Sequence, residues 1–284
     1  MHDSPPVVLV HGFWHGSWCW SPVTEQLAAL GVASVAVDMD GHGLRGPAPR
    51  SRWSRPFDAA AFATERSPVA GVTASSAAAV LADQIRTIGA GRPCLVVAHS
   101  MGGVVATAVA ELVPELVGGL VYVAAFAPVS GLPAVHYTTC PENTSDSLDR
   151  LVAAGPARVG AMRIDTGDPE RRDLLKEAFY NDLDDRTADA AIALLGTDAP
   201  AGIPIEPLTL TPERYGSVPH SYVVCGRDNV LPVALQRRFV KEIDAVSATP
   251  TTVTELDSSH SPFLSRPAAL ADAIAAALPA LAPE

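Results

Sequence analysis

The sequence predicts an α/β domain: a mostly parallel central sheet with helices on both faces and an inserted, mainly helical cap. Two observations carry this. Short apolar runs alternate with longer helix-patterned stretches along most of the chain, as parallel strands joined by crossover helices require. The alternation then stops between about Val129 and Gly216, where the chain turns loop-rich, acidic and helical, and resumes afterwards. A length of 284 residues suits one α/β domain carrying an insertion. The expected division is a core of residues 1–128 and 217–284 and a cap of residues 129–216.

Each element has a local reason. "PVVLVHG" is a buried strand ending at a glycine. "SPVTEQLAALG" is a helix, with Ser21 as N-cap, Pro22 at the first helical position and Gly31 as the stop. "VASVAVD" is a strand, "ASSAAAVLADQIRTIGAG" a helix, "PCLVVAHS" a strand, "MGGVVATAVAELVPELV" a helix and "GGLVYVAAFAP" a strand. After the interruption come strand "HSYVVCG", helix "PVALQRRFVKEI", strand "TTVTELD" and a terminal helix from about Pro267 to Leu281. No internal repeat is visible.

Composition excludes several classes. At 48% hydrophobic and 18% charged residues the chain is globular, and its net charge of −11 argues against nucleic acid or anionic membranes as partners. "MHDSPP" lacks the basic start of a signal peptide, and no apolar run could span a bilayer. Cys19, Cys94, Cys140 and Cys225 are far apart and form no CxxC pair, so they read as reduced and mostly buried in a soluble, cytoplasmic protein. "GHGLRG", residues 41–46, fits a dinucleotide fingerprint in letters only. That motif must open a helix, whereas "PAPRSRWSRP" follows, so it reads as a glycine turn leaving a strand.

The strongest chemical signal is "VVAHSMGG", residues 96–103. Ser100 sits between an apolar strand and a small-residue helix, with Ala98 two before it and Gly102 two after. This is the G-x-S-x-G turn with alanine in first place, a turn so sharp that only small residues fit at those positions. It leaves the serine strained and its Oγ projecting. A serine needs a base. His2 and His136 lie in irregular segments, His42 in the glycine turn and His220 at a strand start, while His99 should point away from the nucleophile. His260 in "ELDSSHSPFL" follows the last strand and is the expected base. The acid that orients it is expected at Asp228 in "VVCGRDNVLP", with Asp257 as runner-up but too close to His260 on one strand end.

The opening cluster "HGFWHGSWCW", residues 11–20, then finds a place. Acyl transfer needs two N–H donors for the oxyanion, one from Met101 after the nucleophile and one from Phe13 in the loop after the first strand. Gly12 lets that loop turn tightly. Gly12, Trp14, His99 and Phe126 are the expected substrate-binding residues, whereas Trp18 and Trp20 are as readily packing under the next helix. A metal site from His11, His15 and Cys19 lacks a carboxylate, so neither metal nor cofactor is expected.

Together "HGFWHGSWCW", "AHSMGG", "ERYGSVPHSYVVCGRDNVLPVALQRRFV" and "SSHSPFLSRP" resemble the α/β-hydrolase family of plant methyl-ester esterases and hydroxynitrile lyases, in its bacterial carboxylesterase, pyrethroid-hydrolase-like branch. The resemblance covers nearly the whole chain, including "FYNDLDDRTADAAIALLG" in the cap. It implies the α/β-hydrolase fold, puts Ser100, Asp228 and His260 on the family's triad, and puts Phe13 and Met101 on its oxyanion hole. Lyases of the family carry a lysine after the catalytic histidine and a threonine in the His-Gly position; here Ser261 and Gly12 stand there. The chain departs from the resemblance in the long Arg/Pro-rich segment of residues 44–71, which reads as a solvated surface loop, with a wall of the substrate entrance as the sharper alternative. The expected activity is hydrolysis of an apolar or aromatic small-molecule ester through an acyl-enzyme on Ser100. A lactonase or natural-product ester hydrolase or cyclase is the alternative; hydroxynitrile lyase or a non-catalytic ligand-binding protein is less favoured. No nucleic-acid or membrane partner is expected, and a homodimer is compatible with this reading.

Overall fold

In the computed structural model, which describes residues 5–278, the six predicted runs become strands, and two short strands join them to make eight. They are β1 (Val7–Val10), β2 (Ser34–Val37), β3 (Cys94–His99), β4 (Val117–Val123), β5 (Ala161–Arg163), β6 (Asp198–Pro200), β7 (His220–Cys225) and β8 (Thr252–Leu256). Six of them form one sheet in the order β2-β1-β3-β4-β7-β8, and every pairing is parallel. Strands β1 and β3 are buried throughout, which is why their sequences show continuous apolar runs rather than alternation.

Side chains still alternate between two cores. Val7, Leu9, Leu95 and Val97 face Val23 and Leu27 of the helix Ser21–Ala29 and Leu270 and Ile274 of the helix Pro267–Ala276. Val8, Val10, Val96 and Ala98 face the opposite core, with Leu81, Val104 and Phe239 from the helices Ala74–Gly89, Gly102–Leu112 and Val233–Asp244. The C-terminal ends of β1, β3, β7 and β8 thus open on one rim, where a parallel sheet places its ligand site.

Local details depart from the sequence reading. Ser21 is not an N-cap: a 3₁₀ turn, Ser17–Trp20, runs straight into the helix, so Ser21 is already helical. β4 stops at Val123 because Ala124 adopts φ +41°; the Tyr222 hydroxyl accepts from Ala125 N–H and donates to Ala125 C=O, replacing the lost ladder. The terminal helix begins at Pro267 as expected and is assigned to Ala276; Leu281, like His2, lies outside the described residues. All four cysteines are free and buried. No described helix is long and apolar enough to cross a membrane.

Between β4 and β7 lie the antiparallel β5–β6 ribbon and the helices Pro169–Phe179 and Asp185–Leu194. The ribbon has no signature in the sequence: its strands are three residues each and separated by 34 residues. Residues 44–71 are solvated over much of their length, with Leu44, Trp53 and Phe57 exposed, but the part from Phe62 to Val69 is anchored in the fold. Arg163 of β5, fully buried, donates to Glu65 C=O at 2.9 Å and to Phe62 C=O, lies 5.0 Å over the Phe62 ring, and pairs with Asp198 of β6 through two bonds of 2.6 Å. Ser67 N–H donates to Val159 C=O at 2.8 Å, and Val69 packs with Val159 and Ala161. These contacts come from residues far along the chain, which pattern reading could not see.

Candidate active site

Ser100 stands immediately after β3 with φ +51°, a conformation that disfavours any side chain and that its surroundings must impose. They do so through the backbone. Ser100 N–H donates to Val123 C=O at 3.2 Å, and Ser100 C=O accepts from Phe126 N–H and Gly103 N–H, each at 3.0 Å. Steric room is equally tight: a Cβ on Gly102 would lie 2.3 Å from the His11 carbonyl oxygen. A Cβ on Gly12 would lie 2.7 Å from Ser100 Cβ. Gly12 does not have a positive φ, so it is required for close approach rather than for the tight turn expected of it.

The loops after β7 and β8 bring the other two groups. His260 Nε2 is 2.9 Å from Ser100 Oγ, and His260 Nδ1 is 2.7 Å from Asp228 Oδ2. Asp228 Oδ1 accepts from Val230 N–H at 2.7 Å and Leu231 N–H at 2.8 Å, which leaves Oδ2 to fix the imidazole tautomer with its bare Nε2 towards the serine. All three side chains are buried. Asp257 is elsewhere: its carboxylate is exposed and paired with Arg227 Nε at 2.8 Å.

The remaining expected residues surround this chain. Phe13, Trp14, His99, Met101 and Phe126 line a narrow pocket over Ser100, joined there by Phe179, which was not among them. Among the described residues no protein acceptor takes the N–H of Phe13 or of Met101. Trp14 is held from the cap: its indole N–H donates to Met162 C=O at 3.0 Å, and its own carbonyl accepts Gly196 N–H at 2.7 Å. Trp20 is core, 5.4 Å from Phe263, whereas Trp18 is half-buried and stacks on His15 at 5.6 Å. His99 does not turn its ring away from the site. Its ring centroid is 4.6 Å from that of His260, and its Nε2–H donates to His260 C=O at 2.8 Å.

Four histidines pack behind Ser100, and burial depresses them all. His11 falls to about 4, His15 and His42 to about 3, and His99 well below the ordinary imidazole value. Their hydrogen bonds agree with neutral rings. His11 accepts from Met39 N–H at 3.2 Å while donating to Gly12 C=O at 2.7 Å, and His15 accepts from the Tyr180 hydroxyl while donating to Phe13 C=O, both at 2.9 Å. His11 and His15 thus engage both nitrogens with protein, and Cys19 is buried with its thiol pushed up by burial. No group of three His, Cys, Asp or Glu able to hold a metal occurs among the described residues. His42, from the glycine turn, stacks on Phe13 at 5.6 Å.

The pattern of the alpha/beta hydrolase family matches residues 7–273. The chain belongs to this family. Among curated members of the alpha/beta hydrolase relatives, Methylesterase 7 from Arabidopsis thaliana is 29% identical over 269 residues, covering 92% of this chain and 91% of that protein. A pyrethroid hydrolase from Sphingobium wenxiniae is 26% identical over 276 residues, covering 95% and 86%. In structure this chain superposes on a pyrethroid hydrolase from Sphingobium faniae JZ-2 with a TM-score of 0.73 at 24% identity, covering 96% of each chain. Polyneuridine aldehyde esterase superposes with a TM-score of 0.70 at 19% identity, covering 96% of this chain and 99% of that one. These two superpositions establish the fold.

The cap residues of the site were missed by sequence reasoning. Phe179, whose ring stacks at 5.9 Å on His260, comes from the quoted "FYNDLDD" stretch, but no local pattern says that it reaches the sheet rim. Beside the narrow pocket, sharing Met101 and Leu148 with it, lies a cavity of about 380 Å³ walled mainly by apolar residues such as Val135, Val152, Met162 and Val230, with Asn143, Ser145 and Asp149 among them.

Proposed function

We propose that the protein is a serine-dependent carboxylic-ester hydrolase acting on an apolar or aromatic small-molecule ester. The observation that carries this is the unbroken, buried hydrogen-bond chain from Ser100 through His260 to Asp228. His260 Nε2 takes the Ser100 proton as Oγ attacks the ester carbonyl. Asp228 holds the tautomer and stabilises the imidazolium. The N–H groups of Phe13 and Met101 receive the oxyanion, and their lack of a protein acceptor supports that role. The imidazolium then protonates the leaving alcohol. Water, deprotonated by the same nitrogen, releases the acid and restores Ser100.

The cavity beside Met101 and Leu148 supports an apolar substrate group. Residues 1–128 and 217–284 are taken as the hydrolase core and 129–216 as the cap, with residues 44–71 packed against it. Hydroxynitrile cleavage is not expected. Departing cyanide needs a cation in a desolvated pocket, and Ser261 offers only a buried hydroxyl after His260.

Ser100→Ala should lower turnover of a chromogenic short-chain ester by about 10⁴–10⁶-fold, with the fold intact. A fluorophosphonate probe should label Ser100 and no other serine. A variant retaining a tenth of the activity would refute the assignment.

A further inference from the structure

The cap touches the hydrolytic rim at more than the pocket walls. Its residues 177–182 bond to the two loops that carry Asp228 and His260. On the acid side, Asn229 Nδ2 donates to Glu177 C=O at 2.8 Å and Asn181 Nδ2 donates to Arg227 C=O at 3.0 Å. On the base side, Ser259 Oγ donates to Phe179 C=O at 3.2 Å, and Ser259 N–H donates to Asp182 Oδ2 at 2.9 Å. The last bond is the unusual one. The Asp182 side chain is only 2% exposed, and its Oδ1 has no partner.

A buried, half-satisfied carboxylate is destabilising by itself. Its nearest cation, Arg227, is 3.9 Å away and directs Nε to Asp257 instead. An asparagine carbonyl would accept the same Ser259 N–H without burying a charge. The hydrogen bond therefore accounts for an acceptor at this position but not for a negative one. What the charge adds is an electrostatic field at the residue next to His260.

We propose that Asp182 is a positioning residue for His260: the cap supplies a second carboxylate that fixes the base loop through Ser259 and favours the imidazolium formed as Ser100 attacks. This rests on the ester-hydrolase reading for its meaning in turnover. The other groups facing His260 do not supply that charge from the cap. Asp228 lies on its Nδ1 and Ser100 on its Nε2, while His99 and His15 are neutral by burial. Around Asp182, the Cys225 thiol is pushed up by burial and stays protonated, and Arg227 is shared with exposed Asp257. Asp182 and Asp228 thus bracket the base loop, one from the cap and one from the sheet.

The test follows the imidazole of His260 by NMR from about pH 5.5 to 9, the span in which imidazoles titrate, in the wild type, Asp182→Asn and Asp182→Ala. The resonance is assigned by its loss in His260→Gln. Removing the charge should lower the titration midpoint by about half a unit or more, roughly threefold in proton affinity, in both variants. Ester kcat should fall about tenfold, with KM held within about twofold, because the substrate pocket is untouched. An unchanged midpoint in Asp182→Asn overturns the proposal whatever happens to activity or melting temperature. If Asp182→Ala does not fold, Asp182→Asn alone decides. A wild type whose His260 midpoint responds to Asp182→Asn but which cleaves no ester would instead refute the hydrolase assignment and leave this coupling standing.

Discussion

The turn that carries Ser100 and the loop that carries His260 meet at 2.9 Å, yet they are held in different ways. The Ser100 turn is braced by its own sheet: its amide donates to the end of β4, its carbonyl accepts from Phe126 just beyond β4 and from the helix that follows, and backbone at Gly12, Gly102 and His11 closes in on it. The His260 loop leaves the edge strand β8, which is half-exposed along its length, and depends on contacts from outside the sheet. Asp228 holds its imidazole, His99 holds its carbonyl, and the cap holds the neighbouring Ser259. A nucleophile can be built by local sterics. A base that must both take and return a proton is held by partners from three separate parts of the chain.

Acid should break the nucleophile side first, and with the largest effect. His11, His15, His42 and His220 have folded values depressed to about 3 or 4, and His99 lies well below its ordinary value, against an unfolded value near 6.5. Between those limits the unfolded chain binds protons that the folded chain refuses, so stability falls as pH drops below about 6.5 and is fully present above it. Unfolding at about pH 5 should take up on the order of five protons, seen as a steep fall of Tm with pH. A Tm flat between pH 7 and about 4.5 would show that these rings are solvated.

Next in size, Asp228→Asn should lower kcat by about 10⁴-fold, because the amide presents the wrong partner to Nδ1 and turns the tautomer. Asp257→Asn should leave kcat within about twofold, since an exposed ion pair carries little energy. The reverse result would exchange the two acids. The cap anchor comes third. Arg163→Met strands the buried Asp198 and should destabilise the protein by about 3–5 kcal/mol in denaturant unfolding. The smallest effect tests the close approach at the turn. Gly12→Ala forces a methyl against Ser100 Cβ, and a displacement of that order should lower kcat about 10²-fold with little change in Tm. A variant with wild-type kcat would mean that the turn yields more easily than its hydrogen bonds imply.

The same contrast governs what could be read along the chain. The Ser100 turn was legible because its constraints are local: an all-apolar strand, small residues two places to either side, and a small-residue helix. Those features are fixed by backbone sterics that act over a few residues. The positions of Asp228 and His260 were also legible, since each follows a run that reads as a strand of the sheet, and the hydrogen-bond chain joins the residues those runs deliver. Three features required the tertiary structure. The β5–β6 ribbon, the Arg163–Asp198 pair under residues 44–71 and the reach of Phe179 and Asp182 to the base loop join residues from 35 to 101 positions apart. Their local sequence is polar, short of periodicity and typical of a solvated surface, and only the partner across the fold makes it a contact. The sequence determined the sheet, the sharp turn and the groups that could do chemistry, because each answers to neighbours along the chain. The tertiary structure alone decided how the cap sits on them, because burying a charge or turning His99 towards His260 depends on what the rest of the chain brings to that place.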